Sequence, residues 1–226
     1  MPRSFKGNTW VAFLDMSGFK QMMMKDMSLA KEALYNFYDT VSDEVLRINK
    51  QKGADDSFKK VSISSIVVSD CAVIFVDNGN VKDDITRDLQ LILTLIHQIN
   101  RSLINPQKKV SPIMTTCAIA YGDFKYVNKG ANIDTHNTLF YGQAYLKAFS
   151  GSEKLRKKPG YCMILGKPDN LKNTPPFNLL KTIDNHCYYY WMLNSHEDVE
   201  KFQEEYTEIS QERYKRTANI LSKFTA

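Results

Sequence analysis

No stretch of this sequence is apolar for long enough to span a bilayer, which argues against a membrane-spanning class. The opening residues, MPRSFKGNTW, carry basic side chains with no apolar core behind them, so they do not read as a secretory signal. There is no dense basic run, and this makes nucleic acid a poor partner. The cysteines are few and far apart. Cys71, Cys117, Cys162 and Cys187 each sit in an apolar segment and read as buried thiols of a reducing cytoplasm. His97, His136, His186 and His196 have no companions at metal-ligand spacing. Internal repeats, low-complexity tracts, phosphate-binding P-loops and the common serine-nucleophile motifs are all missing.

What is present is an ordinary globular composition in 226 residues, 43% hydrophobic and 24% charged, with a net charge of +5 that suits an anionic small substrate. Trp10 to Met16 is a short apolar run that predicts a buried strand, punctuated by Ser17-Gly18 and followed by a Met-rich helical stretch. Residues 29 to 50 repeat apolar side chains at helical spacing. Val61 to Val68 and Cys71 to Val76 predict a hairpin turning at Ser69-Asp70. A helix is expected over 83 to 103. Two strands are expected on either side of Gly122-Asp123, and a polar loop over 128 to 138. Residues 142 to 155 read as a helix, 161 to 165 as a strand, and 179 to 193 as one or two strands in which Tyr188 to Trp191 buries one face. His196 to Phe224 reads as a charged terminal helix. The order is that of an α+β, ferredoxin-like core with its helices on one face, over roughly 8 to 167, and a C-terminal extension of an extra strand and helix over 168 to 226 that packs on it.

Two carboxylates stand out. Asp15 ends a buried strand at a Ser-Gly turn, and Asp70 interrupts two apolar strands at their junction. Each has a plain alternative: Asp15 as a helix cap, Asp70 as a turn residue. Taken together they mean more, because a ferredoxin-like fold lays the first strand beside the next hairpin. Two carboxylates meeting in a cleft repel unless a cation sits between them. Hard oxygen ligands suit magnesium or manganese.

The residues around them carry a resemblance. Phe13-Leu14-Asp15-Met16-Ser17-Gly18-Phe19 and Ser69-Asp70-Cys71-Ala72-Val73-Ile74-Phe75 resemble the two metal-aspartate motifs of class III nucleotidyl cyclases. Cys117 to Gly122 and Leu139 to Ala148 resemble that family's later strand and helix-start motifs, in the same order. The resemblance implies two Mn2+ or Mg2+ ions held by Asp15, Asp70 and the carbonyl of Met16. It implies a triphosphate facing the amides of Ser17, Gly18 and Phe19, since a helix N-terminus favours anions. It also implies in-line attack of a 3′-hydroxyl on the α-phosphorus, in a homodimer with its active sites between subunits.

The pattern departs where purine cyclases read the base. Those positions are Ile66 and Leu139, and the transition-state Asn and Arg fall at Leu146 and Ser150. The replacement cation is open: Lys147 is the candidate on the helix, with Lys154 and Arg156 further along, against the plainer reading of all three as solvated helix charges. Tyr35 and Tyr38 are candidates to stack on a small base, against the plainer reading of core packing. With both aspartates kept and the base readers lost, the chain resembles bacterial antiphage pyrimidine cyclases. That implies conversion of CTP, placed ahead of UTP, to cyclic CMP or cyclic UMP in the cytoplasm, as a messenger for a separate effector protein. The alternatives are an adenylate or guanylate cyclase with an unusual base pocket, and an inactive nucleotide-binding module.

Overall fold

The computed structural model describes residues 4–51, 61–77, 84–105, 113–130, 136–156, 158, 160–166, 168, 171 and 174–194. The terminal helix expected over 196 to 224 lies outside them. Among these residues eight strands form one mixed sheet. They are β1 (Ser4–Met16), β2 (Ser62–Val68), β3 (Cys71–Asp77), β4 (Thr115–Gly130), β5 (His136–Tyr141), β6 (Cys162–Leu165), β7 (Leu180–Ile183) and β8 (His186–Tyr189). Their order is β2-β3-β1-β4-β6-β8-β7, with β5 paired to β4 beyond that path. The helices are α1 (Phe19–Lys25), α2 (Met27–Gln51), α3 (Ile85–Leu103) and α4 (Gln143–Lys154). No helix among the described residues is long and apolar enough to cross a membrane.

Strand alternation divides β1 between two cores. Trp10, Ala12, Leu14 and Met16 face α1, α2 and α3 in the larger one. Phe5, Val11 and Phe13 face the other way, into a smaller cluster closed by Ala144 and Ala148 of α4. Helices therefore cover both faces, not the one face expected. α4 can lie this close because Gly151 carries no side chain: a Cβ there would come within 2.9 Å of the Ala118 Cβ and of the Leu165 Cδ1.

Three other expectations change. Gly122-Asp123 does not break the chain, since β4 runs through it, paired with β1 from Ser4↔Val127 to Met16↔Thr115. The expected polar loop is partly strand: β5 pairs β4 from Lys125↔Tyr141 to Gly130↔His136. Tyr188 to Trp191 is buried on all sides rather than one, and the Trp191 indole donates to the Gly160 carbonyl at 2.7 Å. The β7–β8 hairpin turns at Asp184-Asn185, both with positive φ, and joins the same sheet by pairing β8 to β6.

Candidate functional site

The site forms where β1 ends against the β2–β3 hairpin. Asp15 is paired directly with Cys71 across the β1–β3 ladder, so their side chains leave the sheet on one face. Phe13, two residues earlier, shares that face. A two-residue turn, Ser69-Asp70, closes the hairpin between Val68 and Cys71. Ser69 takes φ 55°, the positive φ that a tight hairpin of this length needs at its first central residue. The turn is pinned by the Met16 amide, which donates to the Asp70 carbonyl at 2.8 Å. Asp15, Asp70 and Cys71 each offer a ligand atom within 4.8 Å of the others.

Burial pushes the Asp15 carboxyl above the ordinary carboxylate range. A hydrogen bond from the Cys71 thiol (3.1 Å) opposes this, the Asp70 charge adds to it, and Arg156 offsets it. Burial also pushes the Cys71 thiol well up, with the neighbouring Asp15 reinforcing it. Cys71 is thus the neutral donor that holds one carboxylate oxygen of Asp15. Two half-buried carboxylates this close, one already raised, form a site whose charge a divalent cation would balance. The buried Ser17 hydroxyl beside them has no hydrogen-bond partner. The donor set and this orphaned hydroxyl both fit a hard cation and its oxygen ligands.

The residues expected at the site divide. Asp15 and Asp70 come together, with Met16 tying the two segments through its backbone. Ser17 does not offer its amide to a ligand, because that N–H donates to the Met114 carbonyl at 2.8 Å. Gly18 opens α1 in the left-handed region (φ 80°), and the Phe19 side chain is buried in the larger core. α1 is a single seven-residue helix, a short dipole at best. Lys147 lies elsewhere. With Tyr121, Ser150 and Lys154 it lines a cleft of about 570 Å³ on the other flank of α4. Lys147 and Lys154 sit roughly 200° and 180° around the helix from Tyr145, which packs against Phe13 on the strand face that carries Asp15. Tyr35 and Tyr38 are on α2, behind the opposite face of the sheet. They are 60% and 54% exposed, so they neither stack at this site nor pack in the core.

Cys71 and Tyr145 were not picked out from the sequence. Cys71 read as one more buried thiol, although its place directly after Asp70 and opposite Asp15 marks it. Tyr145 sits in the helix-start motif, and the α4 crossing brings it beside Phe13 at 6.3 Å between ring centroids.

By sequence, neither family models nor curated proteins give a match. Solved structures do. The adenylyl cyclase CyaB from P. aeruginosa superposes with a TM-score of 0.51 over 73% of this chain and 80% of its own, at 16% identity. The guanylyl cyclase Cya2 gives 0.54 over 83% and 93%, at 9% identity. A dimeric guanylyl cyclase domain of a RhoGC fusion protein from the aquatic fungus Blastocladiella emersonii gives 0.53 over 83% and 97%, at 11% identity. This chain has the fold of a class III cyclase catalytic domain. At these identities fold is what is shared, and the chemistry rests on the residues themselves. In this cyclase fold the Asp15–Asp70 pair and the Lys147 cleft lie on opposite flanks of one helix.

Proposed function

We propose that the protein is a metal-dependent nucleotidyl cyclase, converting a nucleoside triphosphate to its 3′,5′-cyclic monophosphate and pyrophosphate. The observation that carries this is the meeting of Asp15 and Asp70 within 4.8 Å at the end of β1, in a fold shared with adenylyl and guanylyl cyclases. Asp15, Asp70 and the Met16 carbonyl would hold Mn2+ or Mg2+, two ions per site. Ions there would lower the pKa of the attacking hydroxyl and neutralise charge on the departing pyrophosphate. The chain's own part is positioning. The Cys71 thiol keeps one Asp15 oxygen oriented, and the Asp70 carbonyl locks the hairpin to β1. Lys147 would supply the cation that the positions of Leu146 and Ser150 no longer provide.

That cation cannot come from the same chain as the carboxylates, since α4 turns Lys147 away from them. A homodimer with the active site between subunits resolves this. A dimeric cyclase domain among the structures of this fold supports it.

For the base, the comparisons favour ATP or GTP, because the neighbouring structures are adenylyl and guanylyl cyclases. A pyrimidine triphosphate, with an antiphage messenger role, remains the second reading. It is favoured by one feature: Ile66 is buried in the apolar cluster and Leu139 is exposed, so neither position offers a polar group to a purine edge. Incubating the protein with manganese and each of the four labelled triphosphates tests all of this. A cyclic product that disappears with Asp15→Ala and Asp70→Ala supports the cyclase, and the preferred triphosphate decides the base. No cyclic product from any of the four overturns it.

A further inference from the structure

The site has no polar residue at the two positions where the family reads a base, yet its rim is aromatic. Tyr145 stands on α4 with its ring stacked over Phe149, at 6.1 Å and 26° between planes. Phe140 meets its ring edge-on at 4.9 Å and 83°. Phe13, whose strand face carries Asp15, meets Phe149 edge-on at 5.3 Å and 84°. Tyr145 and Cys71 both lie on the rim of the smaller core, partly buried against it. Burial raises the Tyr145 phenol and the neighbouring Cys71 raises it further, which fits a ring beside Cys71. Phe149 is 39% exposed, a large apolar ring left open beside Phe13.

A ring held on two sides by other rings has few ways to move, so little order is lost when a planar ligand settles on it. The carboxylates fix where a triphosphate's cations would sit, and the ledge adjoins Phe13 and Cys71, which share a strand face with Asp15. From this juxtaposition, and resting on the cyclase reading above, we infer that Tyr145, backed by Phe149, is the surface on which the nucleobase stacks. The base is then held by its face instead of its edge. A face contact is open to every base, because each has a π-surface. Hydrogen-bond readout at Ile66 and Leu139 is not needed for affinity. Tyr145 is thus a base-holding residue, and it acts through ring contact more than through its hydroxyl.

The test separates base holding from phosphate holding. Calorimetry with each of the four nucleoside triphosphates and with inorganic tripolyphosphate, in manganese, is run on the wild type, Tyr145→Phe, Tyr145→Leu and Tyr145→Ala. Tyr145→Leu keeps apolar volume against Phe140 and serves if the alanine variant melts early. The inference expects Tyr145→Leu and Tyr145→Ala to weaken the preferred triphosphate about 10-fold, as losing a stacked base does. It expects Tyr145→Phe to stay within about twofold of wild type, and tripolyphosphate to bind all four proteins alike. In turnover the loss falls on KM, with kcat largely kept. Unchanged triphosphate binding in Tyr145→Leu overturns the inference, as does an equal loss for tripolyphosphate. A wild type that binds triphosphates through Tyr145 yet makes no cyclic product overturns the cyclase reading and leaves the ledge standing.

Discussion

The two flanks of α4 answer their charges differently. On the flank toward β1, Arg156 and Glu153 pair with each other at 3.3 Å, and Arg156 also offsets the raised Asp15. On the other flank, Lys147 and Lys154 line an open cleft, and no carboxylate pairs with either among the described residues. The first flank is a nearly neutral wall around an acidic centre. The second carries two cations with no carboxylate partner among the described residues. An active site for triphosphate chemistry needs both kinds of surface, and one helix cannot turn both toward one ligand. The difference teaches that the helix carries two unlike surfaces, which the proposed dimer would bring together across subunits.

The largest expected effects break this pairing directly. Asp15→Ala or Asp70→Ala should lower turnover by about 1,000-fold or more, as loss of a charge-stabilising group does. Lys147→Ala should lower kcat by roughly 100-fold. Mixing the Asp15→Ala and Lys147→Ala proteins should restore about a quarter of wild-type activity, because half the random dimers are mixed and each has one intact site. No recovery on mixing, measured by product formation, would mean that the halves do not meet between subunits.

Next in size is the hinge that sets where both flanks point. Gly142 begins α4 at φ 136°, and a Cβ there would collide with the Asp123 carbonyl and come within 2.8 Å of the Phe124 Cα. Those atoms are backbone of β4 and cannot step aside. Gly142→Ala should cost about 3 kcal/mol, combining overpacking with a strained φ. In a chain of this size that lowers the melting temperature by roughly 6–12 °C. An unchanged melting curve would show that β4 yields, and the flanks would then be less fixed than the geometry implies.

Much of the acidic flank was legible in the sequence because it depends on local pattern. An apolar run ending in Asp15, a hairpin turning at Asp70 and a helix after Gly142 are each specified by neighbouring residues. The less legible parts depend on pairing across the chain. β4 passes through Gly122-Asp123 because its ladder with β1 holds that segment extended, against the local turn signal. β5 is polar enough to read as loop and is a strand because β4 extends far enough to pair with it. Tyr145 is ordinary within its helix and becomes notable only when α4 crosses β1. Tyr35 and Tyr38 show the reverse: aromatic residues that looked useful and lie behind the wrong face of the sheet.

Smaller again is the pH response of the acidic flank. The folded state raises the Asp15 pKa, chiefly by burial. A raised carboxyl adds stability while it is protonated, and that stability is lost as pH rises through the folded pKa. Metal-free Asp15→Asn should therefore melt higher than wild type at neutral pH. The gap should close below about pH 4, where an ordinary aspartate is also protonated. Added manganese should reverse the order by stabilising only the protein that binds it. A wild type more stable than Asp15→Asn at pH 7 without metal would mean that the Cys71 hydrogen bond outweighs burial.

The smallest effect concerns the ion pair that distinguishes the two flanks. Arg156 is 70% exposed and Glu153 41%, so their attraction is screened by water and offset by the cost of holding two long side chains. Arg156→Ala should change stability by less than about 0.5 kcal/mol, a shift visible only in careful denaturant titrations. Its electrostatic effect should be easier to see than its mechanical one. Without Arg156, the Glu153 charge acts unopposed on Asp15, and both changes raise the Asp15 carboxyl further. The acid limb of any pH–rate profile should then move to higher pH, while the same substitution at Lys154, on the far flank, should leave that limb in place. An equal shift from both variants would mean that the helix does not insulate its two sides, and that the contrast between the flanks is one of position without consequence for charge.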